Sequence, residues 1–402
     1  IPSSDWSIAA QRLDTDERKI LILGGTGGRY SPTGHLIYYR AGILMAVPFD
    51  AERLEVIGTP LPVLEGVMSS RGNVGSGLYC FSDMGSLAYI PGDDQTFELL
   101  TPVWVDRQGA AQPLSAEPRP YHNPRLSPDG RQIALSINEV GKSDIWIYDF
   151  QRHTLTRLTF EGSNTYPLWT PDGKRVAYRS LKTGMSNSNL FWRSADGSGS
   201  EERLTTSQDN HVPLTFSPDG KILVYTEFNQ KTKWDLWALP LEDERKPQPI
   251  LKTPYNERIA SFSPDGHRLA YLSDESGRYE VYVRPFPGPG GKYQISIEGA
   301  SEILWAKNGD LTYRAGVNRE KMMAVSIQTQ PVFKADTPRL VFEAPYVSNA
   351  PGTSWAPSYS VSADGQRFLM LKATEEPKGN ALTQINLVLN WFEELQQRVP
   401  VK

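Results

Sequence analysis

Few residues in this chain are suited to acid–base or metal chemistry. Five histidines, His35, His122, His153, His211 and His267, are scattered over 402 residues, and none pairs at metal-ligand spacing. Cys80 is the only cysteine, which excludes an internal disulfide and a cysteine-based metal cage. No G-x-S-x-G occurs; GSG at 75–77 and GSGS at 197–200 are flexible loop composition. GGTGG (24–28) lacks the spacing and following helix of a dinucleotide loop, so a strand-to-strand bend is expected. In PGPGGKY (287–293), Tyr293 stands where a phosphate loop would place Ser or Thr, and a hairpin connection is the better reading.

What remains is a set of residues just ahead of β-rich runs: His122, Asn123, Tyr166, Asn210, His211, Glu257, Arg258 and Glu302. Trp355, in the long connection APYVSNAPGTSWAP (344–357), joins them. Histidines and carboxylates converging from separate segments could hold a metal or act as acid and base. The same groups, with their amides and rings, could equally form a binding site. Which holds depends on the elements that bring them together.

Those elements are set by a recurring turn. LSPDG ends at Gly130, WTPDG at Gly173, FSPDG at Gly220 and Gly266, and VSADG at Gly365, with degenerate copies ending at Gly34, Gly85 and Gly309. Pro presets φ at the second turn position, and Gly takes the left-handed conformation that closes the hairpin. β-Branched and aromatic runs follow each turn, such as KRVAYRS and KILVYTE, then a third run such as DIWIYDF or DLWALPL. Seven units add a fourth run, and the turn glycines recur every 43 to 56 residues. Four short strands per unit at this period predict a β-propeller.

Eight turns predict eight blades in a single domain over 1–402, with seven as the runner-up. Residues 1–25 would supply closing strands, 26–358 seven repeat blades, and 359–402 further closing strands and a short helix. DWSIAAQRL (5–13) and RKILILGG (18–25) resemble third and fourth strands, and 359–372 resembles a first and second, so the two ends are expected to share one blade. INLVLNW (385–391) is then one strand too many. Asn390, with Glu393 three residues on, predicts the cap of a helix through Val399. Trp104, Trp146, Trp192, Trp237 and Tyr282 recur at one position of the third strand, where packing between blades is expected.

Bulk properties narrow the partners. With 42 Lys plus Arg against 46 Asp plus Glu the net charge is −4, which argues against nucleic acid and anionic membranes. No apolar run is long enough to insert in a bilayer. The chain opens without Met or a basic-then-apolar leader, as a mature form or an excised module would.

The SPDG turn, the strand after it and the D-[IL]-W third strand resemble the TolB-type β-propeller over essentially the whole chain. RPFPGPGGKYQIS (284–296), FNQKTKWDLWALPL (228–241), TPYNERIASFSPDG (253–266) and INLVLNWFEEL (385–395) are similar to the C-terminal propeller modules of bacterial serine/threonine protein kinases. The kinase itself is absent, and so is the further SPDG-like hairpin that these modules usually carry before a DWSIAAQ-like run. The resemblance implies an extracytoplasmic, periplasmic location, although one cysteine fits the cytoplasm equally, and it carries no catalytic residues.

The expected function is a non-enzymatic binding or sensing propeller. Its loop-rich face would take a small molecule, glycan, peptide or protein. The alternative is a propeller enzyme, a lyase, hydrolase or lactonase, with a metal or acid–base site at the channel mouth. A third reading, the propeller half of a peptidase, lacks room for a hydrolase domain. No cofactor is expected: a channel-bound metal such as calcium has no motif, since each SPDG turn offers one carboxylate that turn chemistry explains. A monomer is expected.

Overall fold

The computed structural model describes residues 7–15, 17–69, 76–92, 98–139, 142–182, 185, 187–242, 244–288, 290–348, 355–374 and 384–401. It is nearly all antiparallel β-structure with one short helix near the C-terminus, as the turn grammar requires. The chain divides into two compact units: residues 1–97, 140–142 and 375–402 form the first, and 98–139 and 143–374 the second.

All eight turn glycines close antiparallel hairpins, at φ between 69 and 92°. The full copies are locked by their own side chains. Ser217 Oγ donates to Asp219 Oδ1 at 2.5 Å, Lys221 N donates to the same oxygen at 3.1 Å, and Ile222 N donates back to Ser217 Oγ at 3.0 Å. The hydroxyl bond is the chief reason the Asp219 carboxyl sits below the usual carboxylate range. Successive turns also nest: a Cβ at Gly220 would lie 3.8 Å from the ring of Pro171, and one at Gly266 3.3 Å from Pro218.

The second unit holds six sheets. Five follow the chain, here blade 1 (121–157), blade 2 (163–203), blade 3 (211–251), blade 4 (257–294) and blade 5 (301–343). Blade 6 is composite. Ser360–Val361 and Arg367–Ala373 are completed by Leu100–Asp106 and Ala111–Pro113, with Trp104 opposite Leu369. Six apolar clusters fill the seams between neighbours in a closed cycle. Two of them join blade 6 to the rest: Val103, Phe368 and Met370 meet Met322 and Phe342 of blade 5, and Leu100 and Leu369 meet Tyr121 and Leu135 of blade 1. First strands face one another around the axis. Trp305 N donates to Ser261 Oγ at 2.9 Å, Trp169 Nε1 to the Arg125 carbonyl at 3.0 Å, and Leu126 N to Ser360 Oγ at 3.2 Å. The recurring third-strand aromatics lie in these seams as expected, several under a cation, with Arg175 4.3 Å from the Trp192 ring and Arg367 4.5 Å from Trp104.

In the first unit Ser7–Gln11 pairs with Arg18–Leu23, and Thr26–Ser31 begins a five-stranded sheet ending at Leu61–Glu65. Tyr79–Phe81, Leu87–Tyr89 and Asn386–Val388 form a third sheet. Helix Trp391–Arg398 buries Trp391 and Leu395 among Ile37, Leu44, Val63 and Leu87. His35 Nε2 donates to the Val399 carbonyl at 2.6 Å. Gly24 and Gly25 of GGTGG turn the chain from Arg18–Leu23 into Thr26–Ser31, and the described residues of PGPGGKY lead from Glu280–Pro285 to Tyr293–Gln294.

Four expectations need correction. Residues 5–25 do not complete 359–372: the described part of that run forms its own hairpin, and Arg367–Ala373 pairs instead with Leu100–Asp106. The eight turns do not build one ring of eight, nor of seven; six belong to the closed cycle of the second unit and two, at Gly34 and Gly85, to the first. The span 26–358 is not one run of seven blades, because the Gly85 hairpin is completed by Asn386–Val388, with Leu387 opposite Ala88. The surplus INLVLNW run thus takes the place left by TPVWVD. Both are short alternating strands, and a ladder forms wherever the apolar faces match, whatever the distance along the chain. Finally, Asn390 precedes the helix at φ 56° but makes no side-chain cap bond; its carbonyl accepts from Glu393 N at 3.1 Å.

Candidate functional site

The first strands of blades 1 to 5 are each broken by a bulge. It falls seven residues before the turn glycine in four of them, where Asn123, Tyr166, Ile259 and Glu302 adopt φ of 50, 57, 38 and 55°. Non-glycine residues pay about 1–3 kcal/mol for such a conformation. A bulge bends the strand and re-aims its side chains, which makes this level of the ring the irregular one.

Three of the expected site residues meet here. The Trp355 ring lies 6.2 Å from Tyr166 of blade 2 and 5.0 Å from Trp234 of blade 3. The Arg258 guanidinium of blade 4 is 5.6 Å from Trp355, 5.7 Å from Trp234 and 5.6 Å from Tyr279. Two residues after Trp355, the Pro357 carbonyl accepts from Arg125 Nη1 of blade 1 at 3.1 Å, and Arg125 also reaches the Tyr359 carbonyl at 3.1 Å. Ser358 N and Oγ donate to Glu302 of blade 5 at 3.0 and 2.5 Å. Residues 355–358 therefore touch five blades, which requires a strap across the axis of the ring.

Around the strap the charge is mainly positive. Arg125, Arg179, Arg258, Arg314 and Arg319 all have pKa values lowered by burial, Arg125 to about 10, with Glu302 the carboxylate shared by Arg125, Arg314 and Arg319. Burial raises the Tyr166 hydroxyl, a shift opposed by Arg179 and Arg258. His122 is pushed down to about 4 by burial, so its imidazole is neutral at pH 7. Yet His122, Tyr166, Arg179, Asn210 and Trp355 are only half-buried. These side chains are surrounded by protein yet keep part of their surface exposed.

Two expected residues lie elsewhere in function. His211 is buried in the seam between blades 2 and 3, its Nδ1 2.9 Å from Thr205 Oγ1 and its Nε2 2.7 Å from Glu227 Oε2. Glu257 is buried in the seam between blades 3 and 4, where Thr253 Oγ1 donates to it. Its carboxyl is raised to about 7, first by burial and then by Asp235, Asp274 and Glu275. Equivalent seam positions hold Asn164 on Asp144 and His211 beside Asn189 and Thr205. Asn123 is buried on its bulge, and Glu302 is committed to the strap. Among the described residues no group of three or more His, Cys, Asp or Glu could hold a metal ion.

Sequence reasoning missed Arg125, Arg179, Arg314, Trp234 and Ser358. The seven-residue offset from the turn glycine would have marked Ser358, but nothing marks the arginines, which sit inside ordinary strands. Residues 70–75, 183–184, 186 and 349–354 of the expected loop face lie outside the described residues.

Comparison with known proteins agrees with this architecture. Residues 103–243 match the PD40 family, the TolB beta propeller domain. An uncharacterized protein of Agrobacterium fabrum is 25% identical over 198 residues, 46% of this chain and 66% of that protein. The Tol-Pal system protein TolB of Anaeromyxobacter dehalogenans is 30% identical over 122 residues, 30% of this chain and 27% of that protein. The aligned stretches thus span less than two thirds of either relative. Among solved structures, one described as TolB of Agrobacterium tumefaciens superposes with a TM-score of 0.54 at 16% identity, covering 69% of this chain and 99% of that one. The chain carries a TolB-type β-propeller, and the matched residues, apart from 140–142, belong to the second unit.

Proposed function

We propose that the second unit is a non-enzymatic binding propeller whose ligand docks on the axial wall built by Tyr166, Arg179, Asn210, Trp234, Arg258 and Trp355. The observation that carries this reading is the convergence of rings and donors from three blades and the strap, with Tyr166 at one strained bulge and Arg258 beside another. The enzyme alternative asked His122, His211, Glu257 and Arg258 to hold a metal or supply acid–base chemistry. Of these, His211 and Glu257 are instead engaged in seams between blades, which favours binding. The likeness to kinase propeller modules supports a sensor role outside the cytoplasm, with the ligand read at this wall.

Thermal unfolding against a small-molecule panel tests the proposal. The expected result is a concentration-dependent rise in Tm that disappears in Trp355→Ala, with the compound recovered unchanged. Turnover of the bound compound, or stabilisation that survives Trp355→Ala and Tyr166→Ala together, would overturn it.

A further inference from the structure

Hydrogen bonding on this wall runs in one direction. Arg179 Nε donates to Ser188 Oγ at 2.6 Å, and Ser188 Oγ donates to Asn210 Oδ1 at 2.8 Å. Ser188 N also donates to Asn210 Oδ1, at 3.0 Å, which fixes the orientation of the amide because a backbone N–H can only donate. The chain of bonds therefore ends on donors. Among the described residues, neither the two Arg179 Nη groups nor Asn210 Nδ2 has a protein acceptor. The Trp355 indole Nε1 is likewise buried without one. Beside them stands a second guanidinium, Arg258, 5.6 Å from the Trp355 ring.

Surplus donors and desolvated cations call for an oxyanion. The walls say what the rest of the ligand is: Tyr166, Trp234 and Trp355 offer apolar faces, suited to a flat body. Resting on the binding-module reading, we infer that the axial wall binds a small organic carboxylate, its oxygens held by Arg179 and Asn210 and its flat face stacked on the indoles. Phosphate satisfies the charge but not the walls, and a neutral aromatic satisfies the walls but not the donors.

Calorimetric titration of the whole chain with benzoate, benzyl alcohol and inorganic phosphate is the test. Benzoate should bind saturably, at least tenfold tighter than either comparator, and more weakly as salt rises. Arg179→Gln should cost tenfold or more in affinity. Asn210→Asp keeps the acceptor for Ser188 N while placing a negative charge beside Arg179, and should abolish benzoate binding with Tm little changed. Absence of saturable benzoate binding, or affinity unchanged in both variants, overturns the carboxylate. Benzyl alcohol binding as tightly as benzoate and lost in Trp355→Ala would also overturn it, while leaving the binding-module reading intact.

Discussion

The two ends of the second unit obey different rules. At the turn end, blades 1 to 4 repeat one solution: proline presets the backbone, serine or threonine and aspartate lock it, and in blades 2 to 4 glycine closes it against the preceding blade's proline. Seven residues back, about four of them along the strand and so roughly 13 Å from the start of the turn, repetition stops. Bulges put Asn123, Tyr166, Ile259 and Glu302 at positive φ, and each blade presents a different side chain to the strap. Uniform residues at the turns build the ring; varied residues at the bulges are free to recognise something.

The contrast can be broken from either side. Arg125→Ala would have the largest effect, because the Pro357 and Tyr359 carbonyls lose their donor in a buried place. We expect a loss of about 3 kcal/mol, read by chemical denaturation, together with freer exchange of the backbone amides of Trp355, Ala356, Ser358 and Tyr359. Gly220→Val forces a β-branched residue to φ 75° and should cost about 2 kcal/mol. Because this change is at the turn end, ligand affinity should stay as in the wild type; a coupled loss of affinity would mean the two ends are not separable.

A smaller effect concerns the seam between blades 3 and 4. Glu257 is raised from 4.5 to about 7 in the folded protein, so the fold holds a proton there that the unfolded chain releases. Its contribution to stability is complete below about pH 4.5 and is lost as pH climbs through about 7. Glu257→Gln should flatten that decline in a series of Tm measurements, and an unchanged pH profile would show that the carboxyl titrates normally.

The sequence exposed the turn end almost completely, because Ser-Pro-Asp-Gly states its backbone demands in four residue types. It also put Tyr166, Arg258 and Trp355 in one candidate set, and the structure brings these three side chains near one another. It did not show which hairpin takes which third strand, since TPVWVD and INLVLNW are equally able to extend a sheet, and choosing between them depends on which apolar faces meet. His211 and Glu257 were drawn into the candidate ring by their position ahead of a strand. That position turns toward the neighbouring blade, while the bulge two or three residues later turns toward the axis. Arg125 and Arg179 carry no signal in sequence, because an arginine inside a strand ordinarily faces solvent and only the closed ring makes these two axial.

The assignment of recognition to the bulged end is tested most directly by the tryptophan indole resonances of the isotopically labelled protein during titration with benzoate. Trp355 and Trp234 should move with saturation while Trp104, Trp146, Trp192 and Trp237, in the seams, stay in place. Shifts confined to the seam tryptophans would contradict it.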